Sequence, residues 1–407
     1  MRFLPESPLT RALSFQSILS AAGEGAFLTG NAVFFTQVVG LTAAQVGLGL
    51  TLAGVVTFIV AVPLGRISDA VGAKRMWGVT ALTQALLYLL WPLAGSFASF
   101  VAVTIALEIA VTGSRSARGA YTLDVFSGED RIRSLAFMRS ARNIGYTLGA
   151  ALGGVALATD DLDVIRAVPV VTAGMLLLNA LLIRGLPSLE AAPVVAHAAR
   201  TSALRNKGFL VLTTLDGVLG TNQVLLNVVI PLWLVEQTDA PRVLLAWLFG
   251  TNTVLAVLLQ VRASRGADTV PGALRASRLS AAFFVLSCLI VLVTHDTVGW
   301  VTIALVWIGH VTVTGAELFQ SAGHWGLTAE LSDPARRGEY QGAAQLGWTL
   351  GSVWAPATYT FLAINWGATG WLLIAGIVVL AVAGMHPAAR AAQRYLDQHV
   401  AAPSPVS

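Results

Sequence analysis

Apolar stretches long enough to cross a lipid bilayer recur along the whole chain, and short polar segments separate them. The hydrocarbon core of a bilayer requires about 20 apolar residues in a helical span. On this criterion the pattern predicts twelve membrane-spanning helices and leaves no soluble domain. The predicted spans are centred near residues 25, 54, 85, 109, 150, 174, 222, 252, 284, 311, 352 and 376. We therefore expect an all-α integral membrane protein.

The basic residues predict how these spans are oriented. Among the 25 lysines and arginines, all but Arg115, Arg118, Arg166 and Arg242 fall in the predicted loops and tails of one face. Because loops rich in Lys and Arg stay in the cytoplasm, both termini are predicted to be cytoplasmic and the number of helices even. The predicted loop between spans 4 and 5 contains Arg131, Arg133, Arg139 and Arg142. The net charge of +4 is thus a topological signal, and we expect the lipid bilayer, and no nucleic acid, as a partner.

Composition narrows the class of protein further. The chain is 56% hydrophobic and 11% charged, and its only cysteine, Cys288, lies in an apolar stretch, which excludes an intramolecular disulfide. No nucleotide-binding G-x-x-x-x-G-K-[ST] loop and no H-E-x-x-H or G-x-S-x-G motif occurs. We therefore expect neither an ATP-driven pump nor an enzyme, and no metal or other cofactor. The preference for arginine over lysine and the abundant alanine suggest a GC-rich bacterial genome, and hence the bacterial plasma (inner) membrane.

The longest polar interruption divides the chain into two related halves. It predicts an N-terminal six-helix bundle over 1–184, a cytoplasmic linker over 185–206, a C-terminal six-helix bundle over 207–389 and a cytoplasmic tail over 390–407. The sequence GYTLG at 145–149 recurs as GWTLG at 347–351, in each case at the start of an odd-numbered span. This correspondence indicates an internal duplication, an arrangement that secondary transporters use.

The loop between spans 2 and 3 reads GRISDAVGAKR, residues 65–75. A glycine beside a helix end allows two helices to approach closely, and an aspartate accepts hydrogen bonds from a helix N-terminus or pairs with arginine. The stretch resembles the G-x-L-a-D-r-x-G-r-k-r signature of the major facilitator superfamily, where it forms a cytoplasmic gating motif. The matching residues are Gly65, Asp69, Gly72, Lys74 and Arg75. The alternative is an ordinary basic loop of the cytoplasmic face.

Two further stretches resemble the drug:proton antiporter branch of that family. In span 4, Arg115 and Gly119 fit the R-x-x-q-G pattern of proton-coupled members, with Arg118 in the position of the glutamine. In span 5, GYTLGAALGG resembles the antiporter signature G-x-x-x-G-P-x-x-G-G, with Ala150 in the position of the proline. The matching glycines are Gly145, Gly149, Gly153 and Gly154. Small residues at every fourth position also form a groove for close helix packing, which is the alternative interpretation.

The resemblance implies a fold and a mode of action. A major facilitator has twelve transmembrane helices in two pseudo-symmetric six-helix bundles around a central cavity. Spans 1, 4, 7 and 10 line most of that cavity, and the two bundles expose it to each side of the membrane in turn.

Charged residues inside the predicted spans are the candidates for function, because a charge in a bilayer is retained only where it is paired or hydrated. The buried acids are Glu24, Glu108, Asp216 and Glu317, and they lie on spans 1, 4, 7 and 10. Each is a candidate for binding a proton or the substrate. The alternatives are a fixed structural hydrogen bond for the first two and pairing at a cytoplasmic gate for the last two.

Three basic residues accompany these acids. Arg115 lies seven residues after Glu108, or about 10 Å along the helix, so a direct ion pair within span 4 is not expected and Glu24 is the proposed partner across the cavity. The alternatives for Arg115 are contact with Glu108 through water and extension of its side chain to the cytoplasmic interface. Arg118 is predicted to extend to the cytoplasmic interface as an anchor. His310 shares a helix face with Glu317 and is a candidate proton relay. An interhelical hydrogen bond is its alternative role.

Neutral polar residues add weaker candidates for substrate contacts on spans 1 and 7. They are Asn31, Asn222, Gln223 and Asn227. Hydrogen bonds between helices are the alternative role for these side chains.

The sequence therefore predicts a secondary active transporter, with proton-coupled export of small amphipathic molecules such as drugs, antibiotics or toxic metabolites as the leading interpretation. Its expected partners are a small-molecule substrate, protons as the coupling ion and the bilayer, and we expect a monomer. Import or uniport of a small nutrient is the alternative within the same class. A transporter-like receptor or an intramembrane enzyme is the alternative from another class.

Overall fold

The structure is a computed structural model that describes residues 5–159, 161–188 and 201–399 of the 407. It contains helices and no strand over those residues. The helices are α1 Pro8–Val33, α2 Ala43–Val71, α3 Ala73–Tyr88, α4 Phe97–Val125, α5 Gly128–Leu157, α6 Leu162–Arg184, α7 Lys207–Gly220, α8 Asn222–Val224, α9 Ile230–Gln237, α10 Leu244–Ala263, α11 Val270–Leu292, α12 Trp300–Glu330 and α13 Arg337–His399. Single π-helical turns extend α1 over Phe34–Val38 and join α8 to α9 over Leu225–Val229.

The number of spans follows from these helices. Ten helical segments of the described chain are long and apolar enough to cross a membrane. One of them contains α13, whose 63 residues are interrupted at Gly367, where φ is 51° and ψ is −127°. The helix α5 has 30 residues, which is enough to span a bilayer, but it does not meet the criterion for an apolar span. We interpret α13 as two spans and α5 as one more, and each of the twelve predicted centres lies within a helical segment.

The start of α5 differs from the prediction. The arginines from Arg131 to Arg142 were expected in a loop, but the helix begins at Gly128 and includes all four. Its first turn contains Glu129 and Asp130, and acidic side chains stabilise the positive end of the helix dipole. The helix therefore begins well before the apolar part of its sequence.

The described chain forms two compact units. The first holds the residues up to Ser127, those from Phe137 to 188, and Ala335–Gly342. The second holds Gly128–Ala136, residues 201 to Pro334, and Ala343 to His399. Most of the predicted linker, 189–200, lies outside the described residues, and α13 continues through the beginning of the predicted tail to His399. The division into bundles, linker and tail stays a prediction.

The repeated glycine sequence makes equivalent contacts in the two units. A Cβ atom added to Gly145 or Gly149 would lie 2.4 Å or 2.2 Å from a carbonyl oxygen of α1, that of Ile18 or Ala22. In the second unit a Cβ at Gly347 would lie 2.0 Å from the carbonyl oxygen of Thr213, on α7. Real Cβ atoms do not approach so closely, so each glycine allows backbone-to-backbone packing against the first helix of its unit. This shared contact supports the internal duplication.

Candidate functional site

A polar cavity lies within the first unit. Five helices line it, and most of the lining side chains are polar or charged. They are Gln16, Ser17, Ser20, Ala21 and Glu24 on α1, Trp77 and Gln84 on α3, Val111, Ser114, Arg115 and Arg118 on α4, Arg142 on α5 and Asn179 on α6. We call this set the polar cavity. It brings together Glu24 and Arg115, two of the residues predicted from the sequence.

The carboxylate of Glu24 is bound by two hydroxyl groups. The Tyr146 hydroxyl donates to Glu24 Oε2 at 2.8 Å, and the Ser20 hydroxyl donates to Oε1 at 3.2 Å. The tyrosine reaches the acid because Gly25 has no side chain: a Cβ there would lie 2.9 Å from the backbone oxygen of Tyr146. The close packing of α5 on α1 therefore delivers a hydrogen-bond donor to the acid.

Arg142 also bonds to Tyr146, although the sequence analysis predicted that this arginine lies in a loop. Its Nη2 atom donates to the Tyr146 hydroxyl at 3.2 Å, and its guanidinium carbon lies 5.3 Å from the centre of the tyrosine ring. Arg142 and Tyr146 are four residues apart and so share one face of α5. That spacing, combined with a helix that begins at Gly128, is the signal from which the pair was predictable.

Arg118 also faces the cavity, which makes the predicted anchoring role at the interface wrong. Its Nη2 atom donates to the Ser17 hydroxyl at 2.7 Å, and its guanidinium carbon lies 5.9 Å from the centre of the Trp77 ring. An arginine over an indole face is held by a cation–π attraction as well as by its hydrogen bond. The side chain is thus oriented from two sides.

Arg115 lines the same cavity but differs from the other two arginines. Over the described residues it has no hydrogen bond and no ion pair, and its side chain is exposed. The expected pairing with Glu24 is not formed, because that carboxylate is held by Tyr146 and Ser20. Glu108 lies half-buried on α4 outside the cavity lining and forms no ion pair with Arg115, as the helix spacing predicted.

In the second unit, Asp216 on α7 forms a buried polar contact with α12. The atom Nδ1 of His324 lies 2.6 Å from Asp216 Oδ2, and the Gln320 side chain donates to Oδ1 at 3.2 Å. Asp216 is buried, and His324 is partly exposed. His324 was not predicted, although it follows Glu317 by the seven-residue spacing that singled out His310.

Glu317 and His310 lie on α12 as predicted. Glu317 is buried, and the Asn252 amide on α10 donates to it at 2.9 Å and to Thr314 at 3.1 Å. His310 is also buried, and neither ring nitrogen makes a hydrogen bond of regular geometry with a described residue. Asn252 is a further residue that the sequence did not single out, because nothing in one sequence shows which helix faces α12.

The neutral polar candidates bond mainly to their own helical turns. The Asn222 amide donates to the Leu219 carbonyl at 2.8 Å, and the Asn227 amide donates to the Gln223 carbonyl at 2.9 Å. Asn222 is fully buried, whereas Asn227 is exposed. Asn31 is half-buried on α1. The structure does not bring these four residues into the polar cavity.

The motif at the end of α2 contacts the Ala335–Gly342 segment of the same unit. Asp69 accepts hydrogen bonds from the backbone N–H groups of Gly338 at 2.6 Å and Glu339 at 2.8 Å, which are at the N-terminus of α13. Gly65 allows this approach, since a Cβ there would lie 2.1 Å from the Gly338 carbonyl oxygen. The fully buried Glu339 carboxylate also pairs with Arg66 at 3.1 Å.

The remaining motif residues shape the turn between α2 and α3. Gly72 has a φ of 98°, a backbone conformation that residues other than glycine rarely adopt. Lys74 lies two residues further on, and its ammonium group donates to the backbone oxygens of Arg184 at 3.1 Å and Leu186 at 2.5 Å. The lysine thereby caps the C-terminus of α6. Arg75 is exposed.

The glycine motif of α5 acts in packing at three of its four positions. Gly153 continues the contacts of Gly145 and Gly149 along α1, because its Cβ would lie 2.4 Å from the carbonyl oxygen of Ala26. Gly154 has nothing within 4 Å of such a Cβ.

No group of three or more metal-ligating side chains is present among the described residues.

Comparison with known proteins decides the family. The family profile described as Major Facilitator Superfamily matches residues 13–356. The chain belongs to the Major Facilitator Superfamily. It is therefore a multi-pass membrane protein and a transporter of small molecules, and it is not an enzyme. No curated protein matches the chain.

Solved structures of other major facilitators share the fold. The proton:xylose symporter XylE, bound to 6-bromo-6-deoxy-D-glucose, is 13% identical, with a TM-score of 0.70 over 93% of this chain and 94% of that one. A bacterial homologue of the iron transporter ferroportin, in an outward-facing state, is 14% identical, with a TM-score of 0.70 over 94% and 100%. The human organic anion transporter MFSD10 (TETRAN) is 18% identical, with a TM-score of 0.65 over 93% and 100%. At these identities the similarity establishes the major facilitator fold and leaves the substrate to be argued from the site.

Proposed function

We propose that this major facilitator is a proton-coupled secondary transporter that exports its substrate. The observation that carries the proposal is the polar cavity: Glu24 is hydrogen-bonded to the Tyr146 hydroxyl, and three arginine side chains line the same cavity. Ionisable groups in a membrane protein are retained where they serve ion or substrate pathways. Nutrient import by proton symport uses the same parts and is the alternative that the experiment below distinguishes.

Glu24 is the proposed proton site because of how its carboxylate is held. The ionised carboxylate accepts hydrogen bonds from the Tyr146 and Ser20 hydroxyl groups. A proton on Glu24 removes its negative charge, so Tyr146 loses its charged acceptor and Arg142, which contacts Tyr146, faces a more positive cavity. Proton binding thus changes the electrostatics of the whole cavity wall. In a protein with two alternating conformations, such a change shifts their populations.

Asp216 and His324 form a second group that is able to exchange a proton. Their side chains lie 2.6 Å apart and join α7 to α12, the two helices of the second unit that carry the predicted acids. We propose that this pair contributes to coupling, together with Glu317 and its partner Asn252. Each contact joins two helices, so a change in protonation alters helix packing directly.

The contacts of Asp69 supply the proposed cytoplasmic gate. They hold Ala335–Gly342 through two backbone hydrogen bonds, and Arg66 binds Glu339 beside them. We propose that these bonds break in each transport cycle and free the start of α13. The chain continues from Gly342 into the second unit within α13.

Export is the proposed direction because the Gly145–Gly154 stretch resembles the antiporter signature. Expression in an efflux-deficient bacterial host tests it: the chain should raise resistance to a subset of toxic compounds and lower their accumulation. Glu24→Gln should abolish the effect, whereas Glu236→Gln, at an exposed acid, should preserve it. Increased accumulation by the intact chain would instead establish import.

A second measurement isolates the coupling ion. In proteoliposomes the compound identified by the screen should move only while a pH gradient is present, and nigericin with K⁺ on both sides should stop the flux. Flux that persists without the gradient would reject proton coupling. We further propose the bacterial plasma membrane as the location, cytoplasmic termini and a monomer as the functional unit. Reporter fusions at each terminus and light scattering in detergent test these points.

A further inference from the structure

We propose that the polar cavity of the first unit binds an organic anion, whose carboxylate pairs with Arg115. The inference names the substrate class of the proposed transporter and so rests on the proposed function for its role in transport. Binding itself requires no gradient and no conformational cycle, so it is measurable separately.

The charge of the cavity lining carries the first step. The lining contains Arg115, Arg118 and Arg142 against one acid, Glu24, and no lysine or aspartate. If Glu108, on the same helix but outside the lining, is counted as well, the arginines still exceed the acids. A cleft of one sign of charge within a low-dielectric bundle concentrates ions of the opposite sign. A cationic substrate would add a further positive charge to this surplus, whereas an anion neutralises it.

The hydrogen bonds of the three arginines identify which of them is available. Arg118 is engaged by Ser17 and Trp77, and Arg142 by Tyr146. Arg115 faces the cavity with its five N–H donors unused by any described residue. A guanidinium group is planar and matches a carboxylate through two parallel hydrogen bonds. Arg115 is therefore the primary anion contact, and the other two arginines support it electrostatically.

The rest of the lining favours an organic anion over a small inorganic one. Trp77, Val111 and Ala21 offer apolar surface within the same cavity as the arginines. Binding sites for small molecules combine apolar surface with a few placed polar groups, and this lining contains both kinds of group. A carboxylate with an aromatic or alkyl body uses both features.

Matched pairs of probes test the inference on the purified full-length chain in detergent. The pairs are benzoate and benzamide, salicylate and salicylamide, and octanoate and octanamide, in which an amide replaces the carboxylate of a nearly identical body. Dissociation constants are obtained from thermal-stability titrations. We expect at least one carboxylate to bind at least tenfold more tightly than its amide, because the amide has no negative charge and only one oxygen to accept a hydrogen bond from Arg115.

Variants assign the preference to Arg115. Arg115→Gln should raise the dissociation constant of the preferred carboxylate at least tenfold and leave that of the amide unchanged. Arg115→Lys should restore part of the affinity, since it keeps the charge and loses the planar fork. Arg242→Gln, at an exposed arginine remote in sequence from the cavity, is the control and should bind like the unmodified chain. An unchanged melting temperature of each unliganded variant shows that it is folded.

The outcomes separate the two proposals. Equal binding of every carboxylate and its amide, or a preference that survives Arg115→Gln, would overturn the anion inference even if proton-driven flux is observed. Carboxylate binding that depends on Arg115, without flux in proteoliposomes under a pH gradient, would uphold the anion site and reject proton-coupled transport.

Discussion

Tyr146 of α5 donates its hydroxyl hydrogen to Glu24 of α1 over 2.8 Å, while Arg142 donates to the same hydroxyl oxygen over 3.2 Å. The tyrosine thus lies between the Glu24 carboxylate and the Arg142 guanidinium, which do not bond to each other. Ser20 supplies the only other hydrogen bond to Glu24 from the described residues. One phenol group therefore connects the acid to the arginine through two hydrogen bonds.

Replacing this phenol by a phenyl ring should impair transport without unfolding the chain. Tyr146→Phe leaves Glu24 with one donor and Arg142 without its acceptor, so about 1–2 kcal/mol of hydrogen bonding is lost at this half-buried site. We expect resistance of the efflux-deficient host to fall about tenfold. Thr147→Val removes the neighbouring hydroxyl, whose one hydrogen bond to a described residue is to the Asn143 carbonyl, and should have no effect. Full resistance in Tyr146→Phe would remove the tyrosine from the mechanism.

The glycine contacts between α1 and α5 predict a sharp difference between neighbouring positions. Gly149→Ala places a Cβ 2.2 Å from the Ala22 carbonyl oxygen, so the helices must separate, and overpacking of this kind costs about 1–3 kcal/mol. The melting temperature in detergent should fall. Gly154→Ala meets nothing within 4 Å and should leave it unchanged. Equal melting temperatures for the two variants would contradict the packing of α5 on α1.

Weakening the Asp69 contact should loosen the Ala335–Gly342 segment. Asp69→Asn replaces a charged acceptor of two N–H groups by an amide with one oxygen, a loss of about 1.5–3 kcal/mol. The single native cysteine, Cys288, is fully buried, so a cysteine introduced at Gln341 reports on this segment alone. Maleimide labelling of Gln341→Cys should become about tenfold faster in the Asp69→Asn background.

The matching control for that experiment is Asp130→Asn, at an exposed acid of α5. It should leave the labelling rate of Gln341→Cys unchanged. If Asp69→Asn and Asp130→Asn label at the same rate, the Asp69 contact does not hold the segment.

The pair formed by Asp216 and His324 should contribute to the stability of the second unit. His324→Ala leaves the buried Asp216 with the hydrogen bond from Gln320, and removal of one hydrogen-bond partner of a buried group should cost about 1–3 kcal/mol. His324→Asn retains a donor near the position of Nδ1 and should recover part of the loss. The melting temperature in detergent is the measurement, and His386→Ala, at an exposed histidine, is the control. A stable His324→Ala variant would show that the contact adds nothing.

The sequence was sufficient for the helices and for which helix carries each acid. The length of each apolar stretch, about 20 residues, is set by the thickness of the bilayer and does not depend on how the helices pack. The sequence therefore assigned Glu24, Glu108, Asp216 and Glu317 to the correct helices. The location of Arg142 was missed for a physical reason. Acidic residues in the first turn start α5 early, and hydropathy does not register that effect.

The partners of the charged residues were beyond reach of the sequence. Which face of a helix turns inward depends on contacts with its neighbours, and this decided the environments of Arg118 and Glu24. Arg118 was predicted to reach the interface, but α4 turns it toward Ser17. Spacing within one helix was more informative than hydropathy about which side chains share a face. His324 follows Glu317 by seven residues, the same interval that separates His310 from Glu317.

The glycine contacts of α5 on α1 recur at a regular interval: Gly145, Gly149 and Gly153 pack against the carbonyls of Ile18, Ala22 and Ala26, four residues apart on each helix. A shift of α5 by one interval of four residues would displace Tyr146 from Glu24 by about 6 Å, because each residue rises 1.5 Å along a helix. The glycine contacts therefore fix the position of the Tyr146 hydroxyl relative to the Glu24 carboxylate.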